Sequence, residues 1–197
     1  NGVEHTSKTY ENLMTYLAEE DVEYKVVRDG DFISSPWSGV SIEVLSPPED
    51  LIYKGKKADV NENSIVLKVT YGETTYLLTG DAETEAEEYL LSTYADIDAD
   101  ILKAGHHGSS SSSTYAFLRA VTPDVVVISC GADNDYGHPH IEPLENFAKF
   151  TTADKIFRTD IDGDVVVTTD GTEYSVAVRN APHDASKILI SGNGVKV

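Results

Sequence analysis

Apolar and polar positions alternate along this chain in two rhythms, and the switches between them mark out its elements. In residues 7–20, Tyr10, Leu13, Met14 and Leu17 fall at i, i+3, i+4 and i+7. That spacing predicts an amphipathic helix with its apolar stripe turned to a core. Short runs at 24–27, 31–34 and 41–45 read as strands, punctuated by Asp29-Gly30, Pro36 and Ser38-Gly39. Trp37 lies among these turn residues, and partial burial against a sheet is expected for it. Pro47-Pro48 opens a loop that runs to about Asn61. Residues 64–70 and 74–79 then form a hairpin about Tyr71-Gly72-Glu73, and a Glu-rich helix begins near Ala82. Acidic residues in a first helical turn complement the macrodipole, which accounts for Glu83 and Glu85 without a functional role.

The later part keeps the same grammar. Residues 101–104 read as a short buried strand, 115–121 as a helix and 124–129 as a fully buried strand. A helix at about 143–150, a strand at 155–159 and a hairpin of 164–169 with 172–178 around Asp170-Gly171 follow. Strand and helix alternate in the middle, with paired strands at both ends. That pattern predicts an α/β (α+β) sheet covered by helices, with functional groups at the carboxyl ends of strands.

Composition narrows the function classes. Fifteen Lys and Arg face 34 Asp and Glu, a formal charge of -19. Duplex binding rests on phosphate neutralisation, so such a surface argues against a passive DNA-binding module. It is compatible with an enzyme whose cations meet an anionic substrate. The single Cys130 rules out an intramolecular disulfide and a Cys-rich zinc knuckle. No apolar run approaches the length of a membrane span. The opening Asn1-Gly2-Val3-Glu4-His5 carries no targeting features, and the chain is expected to be a piece of a longer polypeptide.

The chemistry concentrates where three apolar strands end. Leu77-Leu78-Thr79-Gly80 leads to Asp81, Ile101-Leu102-Lys103-Ala104-Gly105 leads to His106 and His107, and a buried strand plus a loop leads to His138. Adjacent imidazoles between glycines suit metal ligation, since neutral imidazole is a common ligand and Gly permits close approach. A carboxylate with imidazoles and no thiolate suits zinc, manganese or iron at a hydrolytic centre. Alone, Asp81 would read as a helix N-cap and His138 as a loop histidine. His5, His140 and His183 read as ordinary loop or surface residues. Lys103 lies within an apolar strand, so its charge needs a partner or an outlet at the strand end, where it either steers an anionic substrate or only snorkels.

Taken together, Leu77-Leu78-Thr79-Gly80-Asp81, Leu102-Lys103-Ala104-Gly105-His106-His107-Gly108-Ser109 and Tyr136-Gly137-His138-Pro139 resemble the metallo-β-lactamase-fold hydrolase domain of the DNA-uptake competence protein ComEC. Asn61-Glu62-Asn63-Ser64 and Arg158-Thr159-Asp160-Ile161-Asp162-Gly163 fit the same pattern. The resemblance covers nearly everything from His5 to Arg179. It implies an αββα sandwich of which residues 1–179 are the C-terminal part, with 180–197 as tail or linker. It also implies two divalent metal ions, zinc or manganese, with Asp81 as the bridging aspartate and His138 as the last ligand histidine. At least one of His106 and His107 should lie on metal or substrate. The expected roles are therefore Asp81, His106 and His107 in catalysis, Asp81, His106 and His138 on metal, and Lys103, Ser109 and Asn134 on substrate. Asn61 or Asn63 stands where many members of the fold have a further histidine.

One departure bears on all of this. The signature His-x-His-x-Asp-His is absent from the 197 residues, and the first sheet of the sandwich would be largely missing with it. The remaining ligands are expected outside this chain, on an N-terminal half of the same domain in the same or another polypeptide. The implied activity is a metal-dependent phosphodiesterase or nuclease acting on single-stranded nucleic acid or a small phosphodiester, outside the cell or at its surface. Two rivals stand beside it: a hydrolase of a small ester, lactone or phosphoester on the same fold, and a non-catalytic cell-surface binding domain.

Overall fold

The computed structural model describes residues 1–180, 182–194 and 196–197. In chain order its elements are α1 (Lys8–Glu19), β1 (Val40–Ser46), the two-residue pair β2 (Tyr53–Lys54) and β3 (Lys57–Ala58), β4 (Val66–Tyr71), β5 (Thr74–Leu78) and α2 (Thr84–Thr93). They continue with β6 (Ile101–Lys103), α3 (Tyr115–Val121), β7 (Val125–Ile128), α4 (Ile141–Phe147), β8 (Ile156–Arg158) and the single turn α5 (Thr159–Asp162). The hairpin β9 (Val165–Thr169) and β10 (Tyr174–Val178) and the turn α6 (Ala185–Ile188) complete the chain.

Six strands form one mixed sheet in the order β1-β4-β5-β6-β7-β8. The meander β1-β4-β5 is antiparallel, whereas β5, β6, β7 and β8 run parallel. Parallel neighbours require crossovers, and the segments carrying α2, α3 and α4 supply them. Period-2 alternation sends side chains of each strand to two faces. Leu77, Leu102, Val126, Ile128 and Ile156 face the helices and meet Leu90, Phe117, Leu118, Leu144 and Phe147 in the main core. Ile101, Val125 and Phe157 face the other way and are covered by Val165, Val167, Val176 and Val178 of the β9–β10 hairpin. The two hairpins are also tied at their tips, where the Glu73 N–H donates to the Gly171 carbonyl at 2.6 Å. This central mixed sheet flanked by helices is the architecture expected of the fold that the sequence motifs resemble.

The N-terminal segment departs from expectation. Helix α1 forms, with the Ser7 hydroxyl accepting from the Tyr10 N–H at its N-cap, yet it buries no residue. Leu13 is 52% and Tyr16 59% exposed, so the apolar stripe does not face a core. Periodicity and capping specify a helix locally, but the stripe's partner is a matter of tertiary packing. Trp37 is 67% exposed instead of partly buried. Residues 24–27 are not a strand, and Phe32 makes only an isolated bridge to Glu43. The Arg28 backbone N–H in this stretch donates to the Asp31 carboxylate instead of to a ladder.

Within the stretch read as tail or linker, Ala181 and Val195 lie outside the described residues. Around them, Ile188 is fully buried in the main core, and the buried Arg158 guanidinium donates to the carbonyls of Ile188 and Ile190 while pairing with Asp160. No helix among the described residues is long and apolar enough to cross a membrane.

Candidate functional site

The parallel strands β5, β6 and β7 all point their carboxyl ends to one edge of the sheet, and the loops that leave them carry the predicted residues. Leu78 pairs with Lys103 at the ends of β5 and β6. Beyond them the Thr79 hydroxyl donates to the Lys103 carbonyl at 2.7 Å, and the His106 N–H to the Gly80 carbonyl at 3.2 Å. Asp81 is set by its own N–H, which donates to the Ser64 hydroxyl at 3.0 Å. Its carboxylate does not cap α2: the N-cap position belongs to Glu83, which itself makes no capping bond.

The double histidine is held in an unusual backbone. His106 (φ 43°) and His107 (φ 57°) are consecutive non-glycine residues in the left-handed region, followed by Gly108 at φ 79°. Each such residue costs about 1–2 kcal/mol and persists only where its surroundings fix it. A Cβ on Gly108 would lie 2.7 Å from Pro139 Cβ, so the glycine lets this loop pack against the one carrying His138. The loop is also pinned from α2. Glu87, 2% exposed, accepts from the N–H groups of Ser113 at 2.5 Å and Thr114 at 2.9 Å, and the Thr84 hydroxyl donates to the Ser111 carbonyl.

This backbone turns the two imidazoles in different directions. His107 Nδ1 lies 2.6 Å from the Ser129 carbonyl, which can only accept, so Nδ1 carries the proton. Its Nε2 faces Asp81 Oδ1 at 3.3 Å. In the neutral ring, two acceptors then oppose each other, and a proton or a cation between them resolves the conflict. Two donors each about 2.1 Å from a shared tetrahedral cation stand about 3.4 Å apart. His106 points instead to Glu83, with Nδ1 2.8 Å from Oε1, and its ring centroid lies 5.5 Å from that of His138. The structure thus sets His107, rather than His106, against Asp81.

His138 is the third partner. Asn134 builds its loop, accepting from the His138 N–H at 3.0 Å and donating to the His138 and Gly131 carbonyls at 2.7 and 2.9 Å. Tyr136 stacks on the ring with centroids 5.6 Å apart. Neither ring nitrogen has a hydrogen-bond partner among the described residues. Burial, followed by the neighbouring imidazoles of His140, His106 and His107, pushes the His138 pKa down to about 4, so the ring is neutral near pH 7. A neutral imidazole with both nitrogens unbonded is the form a cation takes. His140 is different: Nδ1 accepts from the Ser110 N–H and Nε2 donates to the Tyr136 carbonyl, which makes it a loop brace.

The predicted substrate residues are placed nearby but are occupied. Lys103 is largely buried, and its ammonium donates to the carbonyls of Gly80 at 3.1 Å and Ala104 at 3.0 Å. Burial lowers its pKa, while Asp81 acts in the opposite direction. Ser109 is buried, its hydroxyl 2.9 Å from that of Ser111. Asn63 is fully buried and bonds the backbone of Ile52 and Asp59, whereas Asn61 donates to Glu83.

Glu83 is the residue that sequence reasoning missed. Burial works to raise its pKa, but hydrogen bonds from Lys54 and Asn61 outweigh it and hold the carboxyl below its ordinary value. Its position three residues before a helical apolar pattern offered only the macrodipole reading. The donor types around Asp81, His107 and His138 therefore suit a divalent cation. Among the described residues, no group of three or more His, Cys, Asp or Glu is assembled closely enough to hold one unaided.

Comparison with known proteins agrees with the motifs. The family described as Metallo-beta-lactamase superfamily matches residues 57–132. ComE operon protein 3 of Bacillus subtilis (strain 168) is 32% identical over 155 residues, covering 79% of this chain and 19% of that protein. Competence protein ComA of Neisseria gonorrhoeae is 40% identical over 128 residues, 64% of this chain and 18% of its own length. Recombination protein 2 of Haemophilus influenzae is 36% identical over 131 residues, 66% of this chain and 16% of its own length. The chain thus spans less than a fifth of the curated relatives it matches.

Proposed function

Over residues 57–132 this chain belongs to the metallo-beta-lactamase superfamily, with ComEC-type competence proteins as its relatives, and from that premise we propose that the β5–β6–β7 edge is part of a hydrolytic centre for phosphodiesters. The observation that carries the reading is the opposition of His107 Nε2 and Asp81 Oδ1 at 3.3 Å beside the unbonded His138 ring. Asp81, His107 and His138 would hold zinc or manganese, with the remaining ligands supplied from outside these residues. His106 is a further donor on the same edge. A divalent cation bound there supplies Lewis acidity toward a phosphoryl oxygen and makes water acidic enough to attack at neutral pH.

The chain's own residues do the rest. The Ser129 carbonyl fixes the His107 tautomer, Asn134 holds His138 to the edge, and Lys103 fastens the Gly80 carbonyl next to Asp81. The names competence and recombination carried by the relatives go with nucleic acid as the substrate, for which the reading takes single strands and action at the cell surface. The charge of -19 favours a second reading, a small ester, lactone or phosphoester on the same site.

The test joins this chain to a segment carrying the His-x-His-x-Asp-His signature and follows hydrolysis of a generic phosphodiester with zinc or manganese. Asp81→Ala should abolish turnover, and undiminished activity in that variant would overturn the reading. A steep fall of oligonucleotide affinity with salt, about 0.7 log units per decade for each phosphate contacted, supports nucleic acid over a small substrate.

A further inference from the structure

Glu83 stands at the N-cap of α2 without capping it. The N–H it would ordinarily serve, that of Ala86, instead donates at 2.9 Å to Glu62 Oε2, a carboxylate from the β3–β4 connection. Capping by Glu62 leaves the Glu83 side chain free for another task. Oε1 lies 2.8 Å from His106 Nδ1 and accepts from Asn61 Nδ2 at 3.2 Å, while Oε2 lies 2.8 Å from Lys54 Nζ. Lys54 is itself held by Glu62 at 3.2 Å and Asp59 at 3.4 Å. Two side chains from a separate segment, Lys54 and Asn61, thus fix a carboxylate that is 12% exposed and aimed at one ring nitrogen of the double histidine.

We propose that Glu83 is the positioning residue of His106. By accepting a hydrogen bond from Nδ1–H it selects one tautomer and one ring orientation, and leaves the Nε2 lone pair as the available donor. Nε2 has no hydrogen-bond partner among the described residues, as this requires. A carboxylate on the far nitrogen of an imidazole also raises its basicity as a ligand, and losing such a partner costs about 10–100-fold in metal affinity. The ligand role for His106 rests on the metal-centre reading above, whereas the tautomer does not.

The experiment uses the whole chain with isotopically labelled histidine. Long-range proton–nitrogen spectra at pH 8 report which ring nitrogen of His106 is protonated, assigned by the signal lost in His106→Gln. The unaltered chain should show Nδ1–H. Glu83→Ala should shift His106 toward the Nε2–H form. Glu83→Gln, whose amide oxygen still accepts, should retain Nδ1–H, and the backbone spectrum away from the loop should stay unchanged. An Nε2–H tautomer in the unaltered chain, or no change in Glu83→Ala, overturns the proposal. Zinc titrated into the same variants joined to a segment carrying the His-x-His-x-Asp-His signature should bind about 10–100-fold more weakly to Glu83→Ala and equally well to the control Glu85→Ala. Equal affinity in Glu83→Ala would refute the ligand role. Failure of the joined, unaltered protein to bind zinc would instead strike at the metal-centre reading, with the tautomer still deciding the role of Glu83.

Discussion

Glu87 ties folding stability to pH through the loop that carries both histidines. Its carboxyl is 2% exposed, and burial raises its pKa from 4.5 to about 7 despite the N–H groups of Thr114 and Ser113 that favour the charged form. Between these values the folded chain binds more protons than the unfolded one, so stability falls as pH rises from about 4.5 to about 7. A shift of this size corresponds to about 3 kcal/mol across the window. His138 acts with the opposite sign. Its pKa falls from 6.5 to about 4, so its contribution to stability is present above about 6.5 and lost as pH falls toward 4. The raw curve therefore mixes the two, and the informative quantity is a difference. Urea unfolding of the unaltered chain and of Glu87→Gln should be measured from pH 4 to pH 8. Glutamine cannot titrate, and the acceptor it lacks adds only a constant offset. The stability of the unaltered chain minus that of the variant should fall by about 3 kcal/mol between about pH 4.5 and 7 and stay level above. A difference that is flat, or that rises with pH, would refute the argument that burial dominates at Glu87.

Other outcomes follow from single contacts. Arg158→Met strands the Asp160 carboxylate and two carbonyls in the interior, and should cost about 3–5 kcal/mol with faster amide exchange near Ile188. Denaturant titration with hydrogen exchange checks this, and a loss confined to less than 1 kcal/mol would show that the tie is not structural. Gly108→Ala forces a Cβ to 2.7 Å from Pro139 at positive φ, and should cost at least about 1 kcal/mol while disturbing the His138 resonances. Trp37, the only tryptophan, should give fluorescence readily quenched by acrylamide and little changed on unfolding. Shielded emission would contradict its exposed position. In the chain joined to a segment carrying the His-x-His-x-Asp-His signature, Asp81→Asn should weaken zinc binding at least tenfold by calorimetry, since a neutral amide replaces the carboxylate facing His107.

The division between what was legible in the chain and what was not follows from range. Period and punctuation are local, so the strands near Val66, Thr74, Ile101, Val125 and Ile156 and the helix Tyr115–Val121 could be read directly, as could the gathering of Asp81, His106, His107 and His138 at strand ends. Parallel strand order then brings those ends to one edge. Contacts between distant segments could not be read. Only folding revealed that α1 leaves its stripe exposed, or that Asn134 spends its amide on the His138 backbone. The same holds for the two histidines, which face opposite carboxylates because of two left-handed backbone residues. Glu83 looked like helix-end charge because its partners, Lys54 and Asn61, lie more than twenty residues away. Sequence spacing assigns a residue to an element, while the direction of its side chain is decided by whichever neighbours the tertiary structure supplies.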